Sequence, residues 1–164
     1  MAFWEIIRKR ATVVFSTPAA PLCCLLGALV GAGGFTFREA KGLSYLGNEP
    51  ETCANCHIMR GHLDGWQKAS HHAVATCNDC HVPQSFVPKY LVKGENGFSH
   101  SKAFTLQDFP EPIQARPVSA RIVQKNCLRC HGALVGDMLA KSRGSDATFT
   151  CARCHDRVGH GSTR

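Results

Sequence analysis

The sequence contains no charged residue between Arg10 and Arg38. This uncharged run, residues 11–37, is longer than the roughly 20 apolar residues that cross a lipid bilayer. The basic residues Arg8 to Arg10 precede it and predict a cytoplasmic N-terminus over residues 1–10. We therefore expect one transmembrane anchor and an exported remainder. A cleaved secretory signal is the alternative, but the length of the run and its glycine-rich end favour an anchor that is retained.

The sequence also lacks a basic segment with interleaved aromatic residues, although Lys and Arg together exceed Asp and Glu by seven. Proteins that bind nucleic acids concentrate their positive charge in such patches or segments. Nucleic acid is therefore not an expected partner. The basic excess needs another explanation, and the cysteines supply one.

Eight of the ten cysteines occur in four copies of the motif Cys-x-x-Cys-His. In this motif the two thiols form thioethers with the vinyl groups of a c-type haem, and the histidine is delivered to the iron. The copies end at His57, His81, His131 and His155. We predict four covalently attached haem c cofactors, held by Cys53, Cys56, Cys77, Cys80, Cys127, Cys130, Cys151 and Cys154.

Paired cysteines also occur in structural zinc sites and in disulfides. The histidine that closes all four copies favours haem over both. Cys23 and Cys24 lie outside the motifs and are expected to be small apolar residues of the anchor. Haems of this type are attached outside the bacterial cytoplasmic membrane. The tetrahaem domain, residues 53–164, is therefore expected in the periplasm, after a linker of residues 38–52.

The haem-bearing part is short for its cofactors. About 110 residues are too few to build an ordinary side-chain core around four large macrocycles, so the haems should form most of the core. Their ionised propionates would also balance the basic excess of the chain. The predicted fold is mostly α: one N-terminal transmembrane helix followed by a compact multihaem cytochrome c domain with little regular sheet.

The motifs form two pairs with equal internal spacing. Nineteen residues separate the first from the second and the third from the fourth, whereas forty-five lie between the pairs. This spacing predicts two related diheme units, residues 53–81 and 127–155. Helices are expected over residues 63–70, 120–125 and 132–141, with a tight turn at Asn96-Gly97 and a coil over residues 104–117.

Four haems have eight axial positions, and the motif histidines can fill up to four. His160 is the strongest further candidate because it lies in a glycine-rich tail that has little other reason to be ordered. One of His71 and His72 comes next, and the residues do not choose between them. Only the first motif is followed, two residues after its histidine, by a methionine, Met59. This difference singles out the first haem.

These features resemble the NapC/NirT family of membrane-anchored tetrahaem quinol dehydrogenases. The resemblance covers nearly the whole chain. It includes the anchor, the four motifs, the sequence CHIM at residues 56–59, the run Ala73 to Pro83 and the tail that ends Val158-Gly159-His160. The short interval between the later motifs is similar to that of the small subunits of cytochrome c nitrite reductases within this family.

The resemblance implies a set of iron ligands. Met59 would take the axial place that His57 otherwise holds and leave the first haem five-coordinate beside a quinol site. A thioether is a weak donor and raises the haem potential relative to histidine. The family implies the motif histidine for each of the other irons, His81, His131 and His155. Opposite them it implies a lysine of the partner reductase at the second haem, His160 at the third and His71 or His72 at the fourth.

The family also implies a lysine in its quinol site, which Lys93 matches. The aspartate that the family places over the open face of the first haem has no counterpart here. Between His81 and Phe104 the only acidic residue is Glu95. His100 has a pKa range suited to accepting a quinol proton. Lys93, Glu95 and His100 are therefore the candidate quinol-site residues, and the proton acceptor stays open.

We expect a single-pass cytochrome of the bacterial cytoplasmic membrane that takes menaquinol as its substrate from the lipid. It would pass the electrons to a periplasmic reductase, and the expected partner is the pentahaem cytochrome c nitrite reductase. The alternatives are a membrane-anchored electron-transfer cytochrome without its own quinol site and a non-redox anchoring or assembly subunit. The first haem distinguishes them, because only a quinol dehydrogenase needs it open.

Overall fold

The computed structural model describes residues 4–5, 19–142 and 150–161. Within these ranges the regular structure is helical and no strand occurs. The mostly α prediction is therefore confirmed. Two 3₁₀ helices cover Gly42–Leu46 and His57–Met59. The α-helices of the described ranges are α1 (Ala19–Glu39), α2 (Pro50–Cys53), α3 (Arg60–Gln67), α4 (Cys77–His81), α5 (Phe86–Leu106), α6 (Pro117–Ser142), α7 (Cys151–Cys154) and α8 (Arg157–His160).

The chain divides into two units, Met1–Leu43 and Ser44–Arg164. Within the first unit, α1 is long and apolar enough to cross a membrane and none of its residues is buried. It covers Ala19–Glu39 and ends two residues beyond the predicted end of the anchor. The first part of the predicted anchor, residues 11–18, and nearly all of the predicted cytoplasmic segment lie outside the described residues.

Helix α5 corrects one prediction of the sequence analysis. Asn96-Gly97 lies inside this 21-residue helix and forms no turn. The dipeptide is tolerated because Asn96 uses its side-chain oxygen to accept a hydrogen bond from Arg116 Nη2 at 2.9 Å instead of competing for the backbone. The helix ends where Gln107 adopts the left-handed conformation, with φ of 54°. The predicted coil therefore begins only after Leu106.

Helix α6 corrects a second prediction of the sequence analysis. Separate helices were expected before and after the third motif, but a single helix runs from Pro117 to Ser142 and carries that motif in its middle. Pro117 stands at its first position, where a missing N–H costs nothing. The predicted helix over residues 63–70 corresponds to α3, which starts three residues earlier and ends at Gln67.

The haem-bearing unit buries few of its own side chains. Among the described residues the buried ones are Pro50, Val82 at 3% exposure and Asn126 at 9%. Large apolar side chains such as Phe86, Phe98 and Leu134 are exposed. Such a small side-chain core does not stabilise an ordinary domain of this length. It fits a domain whose interior is completed by large apolar groups bound at the four motifs.

Candidate functional site

The four motifs lie on different local structures. The first begins at the end of α2 and continues into the 3₁₀ helix His57–Met59. The second is the whole of α4, and its start is fixed by Asp79, whose carboxylate accepts hydrogen bonds of 2.8 Å from both the backbone N–H and the hydroxyl of Thr76. The third lies inside α6, and the fourth forms α7 with His155 directly after it.

Attachment cysteines of different motifs meet within each diheme unit. The side chains of Cys53 and Cys77 lie within hydrogen-bonding distance of one another. Cys127 and Cys151 also share a hydrogen bond, while burial, the larger effect, raises the pKa of Cys127. The first and second attachment sites are therefore adjacent, and so are the third and fourth.

The second and third motifs meet where α4 packs against α6. The side-chain amide of Asn126 donates hydrogen bonds of 2.9 Å to the backbone carbonyls of Cys80 and Val82. Arg129 reaches the carbonyl of Asp79 at 3.4 Å. Together with the cysteine contacts, this junction places the four attachment sites in the order of the sequence, each next to the following one.

His160 lies against the second motif. Its ring centroid is 5.8 Å from that of His81, with an angle of 35° between the planes. Two imidazoles bound on opposite faces of one metal ion, at about 2 Å each, hold their centroids roughly 6 Å apart. Burial and then the neighbouring His160 and His62 lower the pKa of His81 to about 4. His81 is therefore neutral at physiological pH, the form that binds a metal.

His71 lies against the third motif. Its ring centroid is 6.0 Å from that of His131, a separation that suits two ligands of one iron equally well. His72 instead packs against Trp66, with centroids 4.6 Å apart, and is exposed where His71 is half-buried. The geometry thus favours His71 over His72, a choice that the residues alone left open.

Each of these two histidines is oriented by a hydrogen bond between its Nδ1 atom and a backbone carbonyl. Nδ1 of His71 lies 3.1 Å from the carbonyl oxygen of Val158, and Nδ1 of His160 lies 3.1 Å from that of His62. A carbonyl only accepts, so Nδ1 carries the proton in each ring and Nε2 keeps its lone pair. Metal-binding histidines are usually held in this way. The donor set therefore fits iron ligands at His71 and His160.

The tail and α3 approach each other closely at Gly65. A Cβ atom at this position would overlap the carbonyl oxygen of His160. Gly61, one turn earlier in the same helix, has open space around it. The missing side chain at Gly65 lets α8 come near enough to α3 for His160 to reach both His81 and the carbonyl of His62.

The first motif has different surroundings. Met59 is half-buried and lies two residues after His57 on a 3₁₀ helix, so the two side chains point in different directions. Tyr45 lies beside this motif, because its phenol is hydrogen-bonded to the side chains of Asn55 and Cys56. Partial burial, the largest influence, raises the pKa of Tyr45.

Lys93 lies close to the first motif. Its ammonium group donates hydrogen bonds to the carbonyl oxygens of Tyr45, at 3.0 Å, and of Gly47. Loss of surrounding water and then the positive charge of Lys89 lower the pKa of Lys93, while the Cys53 thiol acts in the opposite direction. An ammonium carries three N–H groups. Two of them are used here, which leaves one for a ligand.

Glu95 and His100, both on α5, each lie near Arg116. Glu95 pairs with Arg116 at 3.0 Å, and the same guanidinium donates to Asn96 and Ser99. Partial burial and the charge of Arg116 lower the pKa of His100 below its ordinary value. His100 lies seven residues after Lys93, on the same face of the helix, whereas Glu95 faces elsewhere. The structure therefore separates Glu95 from Lys93.

Known proteins match this chain over most of its length. Residues 16–164 match the model of the NapC/NirT cytochrome c family, N-terminal region. The chain belongs to the NapC/NirT cytochrome c family. It is 36% identical over 140 residues to the cytochrome c-type protein NrfH of Wolinella succinogenes, a match that covers 79% of this chain and 78% of that protein.

Two further relatives agree with this assignment. The cytochrome c nitrite reductase subunit NrfH of Nitratidesulfovibrio vulgaris is 32% identical over 146 residues, 87% of this chain and 86% of its own length. A crystal structure of the cytochrome c nitrite reductase NrfHA complex bound to the HQNO inhibitor contains a chain of 29% identity and a TM-score of 0.59. That match covers 87% of this chain and 92% of the other.

The histidine contacts of this NapC/NirT cytochrome differ from the pairing that the resemblance implied. His160 was expected at the third haem and His71 or His72 at the fourth. The structure brings His160 to His81 of the second motif and His71 to His131 of the third. The second motif therefore has a facing imidazole within its own chain, at the place where a lysine of the partner was expected.

Sequence reasoning did not single out four residues that shape the site, namely Tyr45, Gly65, Arg116 and Asn126. Their partners are distant in the sequence or are backbone carbonyls, which leave no pattern in the amino-acid order. Only Gly65 offered a signal, since a glycine within a short helix often marks a close approach of another segment.

Proposed function

We propose that this NapC/NirT cytochrome is a quinol dehydrogenase that oxidises menaquinol at its first haem-attachment site and delivers the electrons to a periplasmic cytochrome c nitrite reductase. The N-terminus would lie in the cytoplasm and the haem-bearing unit in the periplasm. The anchor is supported by α1, and its orientation by the basic residues that precede the apolar run.

The proposal depends most on the position of Lys93. Two carbonyls hold its ammonium group near Cys53 of the one motif that is followed, two residues after its histidine, by a methionine. A quinol oxygen bound by the remaining N–H would lie near this motif. An electron donor has to approach the group that it reduces, and Lys93 provides a polar contact where that approach is required.

His100 is proposed as the group that accepts a proton. It shares a helix face with Lys93, and its pKa is lowered by burial and by Arg116, which favours the neutral ring with a free lone pair. Glu95 is committed to Arg116 and supports that arginine rather than the substrate. The bound haems supply the redox chemistry, since each takes up and passes on one electron at a time.

The ligand set that we propose follows the contacts of the structure. Met59 serves the first iron, His81 and His160 the second, and His131 and His71 the third. His155 of the fourth motif is exposed and lines an open cavity of about 390 Å³ together with Lys68 and Arg157. A ligand from the partner reductase, such as the expected lysine, would therefore be needed at the fourth motif.

The nitrite reductase is proposed as the partner because of what the relatives assemble with. One relative is named as a subunit of cytochrome c nitrite reductase, and the solved neighbour lies in a complex of that enzyme. The exposed fourth motif is at the far end of the row of attachment sites from Lys93. Electrons that enter at the first site would leave next to the partner.

The purified full-length protein, reconstituted in detergent with its haems, tests this function. A soluble menaquinol analogue should reduce the haems, and HQNO should inhibit the reduction. Lys93→Ala should lower kcat/KM at least roughly tenfold, the value of one charged hydrogen bond of about 1.4 kcal/mol. Lys102→Ala is the matched control, because Lys102 is an exposed lysine on the same helix.

Dithionite reduction should be unchanged in both variants, which separates quinol binding from damage to the haems. Two outcomes would contradict the proposal. A protein that dithionite reduces but the analogue does not would be an electron-transfer cytochrome without a quinol site. Normal nitrite reduction through a haem-deficient variant that still binds the reductase would indicate an anchoring subunit.

A further inference from the structure

Asn126 is the buried polar side chain of the described residues, and it lies at the junction of the two diheme units. Only 9% of the residue is exposed. Both of its hydrogen bonds are donated to backbone carbonyls, those of Cys80 and Val82, at 2.9 Å each. Burying an amide is costly unless such bonds satisfy it. The position therefore requires a donor with two N–H groups.

The two carbonyls flank a single residue, His81. A side chain that is hydrogen-bonded to the backbone on both sides of this histidine fixes the backbone position from which the imidazole extends. Val82, which follows the histidine, is the most deeply buried hydrophobic residue described, with 3% exposure. The segment is therefore confined from two directions, by apolar packing and by the amide.

Asn126 itself is also close to a haem-attachment cysteine. Asn126 directly precedes Cys127 in the middle of α6, a continuous helix that allows little independent movement between the two residues. One side chain thus connects the histidine of the second motif to the first cysteine of the third. No comparable side chain joins the motifs across this junction in the described residues, since the contact from Arg129 is longer, at 3.4 Å, and exposed.

We propose that Asn126 is a positioning residue that orients His81 and sets the separation between the second and third haems. Its importance for turnover rests on the proposed electron path, because the rate of electron transfer falls steeply with the distance between cofactors. Residues that support a metal ligand from outside commonly change metal-site properties by 10–100-fold when removed.

The test uses the full-length protein with its haems and no quinol. Asn126→Ala should retain four covalent haems by mass spectrometry. Its electron paramagnetic resonance spectrum should show altered g-values for one low-spin haem, because these values report the orientation of axial ligands. After photochemical injection of one electron, redistribution among the haems should slow roughly tenfold. Gln114→Ala, which removes an exposed side-chain amide away from the motifs, should change neither measurement.

Asn126→Ser is a milder variant, because the serine hydroxyl keeps one hydrogen-bond donor. It tests the proposal if Asn126→Ala does not fold. It should give a spectral shift in the same direction but smaller, with a smaller loss of rate. Unaltered g-values and redistribution rates in a fully haem-loaded variant would overturn the proposal. Because no quinol is used, failure of the quinol dehydrogenase function would leave this result intact, and the reverse also holds.

Discussion

The two segments predicted to be diheme units have the same motif spacing but different structures. In residues 53–81 the chain breaks after Cys53 into a 3₁₀ helix and then α3, whereas in residues 127–155 the motif is carried by one helix that continues to Ser142. Met59 in the first unit corresponds to the exposed Ala133 in the second. Equal spacing therefore preserves haem attachment and leaves the surroundings of each haem free to differ.

The first and second pairs of motifs also contact each other through histidines. His71 of the first unit faces His131 of the second, and His160, from the tail after the second unit, faces His81 of the first. The orienting bonds cross in the same way, since Val158 holds His71 and His62 holds His160. These histidine contacts therefore connect the two pairs of motifs.

A substitution at Gly65 should disturb these histidine contacts most. Gly65→Ala places a methyl group against the carbonyl oxygen of His160, and the tail has to move away from α3. We expect a loss of stability of about 1–3 kcal/mol, the usual cost of overpacking, together with conversion of one low-spin haem to high-spin. Optical spectroscopy and thermal unfolding measure the two effects.

Gly61→Ala is the matched control for this substitution, because it adds the same methyl group to the same helix where nothing lies within 4 Å. It should leave the spectrum unchanged and stabilise α3 slightly, since alanine is the better helix former. If both substitutions gave the same low-spin spectrum, the close contact between α3 and the tail would not hold His160 at its iron.

Removal of a single ligand should have the next largest effect. His71→Ala should convert one low-spin haem, the third, because the imidazole facing His131 is lost. His72→Ala should leave all four haems unchanged and cost only the packing against Trp66. Magnetic circular dichroism distinguishes the two spin states. The reverse result, in which only His72→Ala changes a haem, would show that the contact between the two pairs of motifs uses the other histidine.

Much of the fold and of the site could be predicted from the sequence because the signals are local. Covalent attachment requires Cys-x-x-Cys-His within five residues, and a membrane helix requires one continuous apolar run. The family and the mostly helical fold were correct for this reason, and the predicted anchor overlaps a helix that is long and apolar enough to cross a membrane. The roles of Met59 and Lys93 stay predictions.

What could not be predicted depends on contacts between distant segments. No local pattern shows that the residue facing His81 comes from the tail, almost eighty positions later. The helix through Asn96-Gly97 was missed because Arg116, twenty residues away, engages Asn96 and removes its preference for a turn. Tertiary partners decided these points, and the amino-acid order around each residue did not contain them.

The reduction potential of the first haem tests whether Met59 is an iron ligand. Met59→His would give the first haem a nitrogen ligand like those proposed for the other haems, and we expect the potential of one haem to fall by on the order of 100 mV, within the roughly 0.8 V range that axial ligands span. A redox titration followed optically measures the change. Met59→Leu is the companion variant, which keeps the volume and removes the sulfur. An unchanged set of four potentials in both variants would mean that Met59 is a packing residue.

Arg116 should produce the smallest effect, a shift in pH dependence. Its positive charge helps to lower the pKa of His100, so the neutral ring persists to lower pH than an ordinary histidine, whose pKa is near 6.5. Quinol oxidation should therefore decline only as the pH falls through this lowered pKa. Arg116→Gln removes the charge, raises the pKa of His100 and moves the acidic limb of the kcat/KM profile to higher pH.

The exposed ion pair of Arg116 with Glu95 contributes little to stability, about 0–1 kcal/mol, so the variant should remain folded. Glu95→Gln separates the two influences, because it keeps the positive charge of Arg116 beside His100 and removes only the pair. Its acidic limb should stay at or below that of the parent protein. If Glu95→Gln abolished quinol oxidation at every pH while Arg116→Gln left the acidic limb in place, the carboxylate of Glu95 and not His100 would be the proton acceptor.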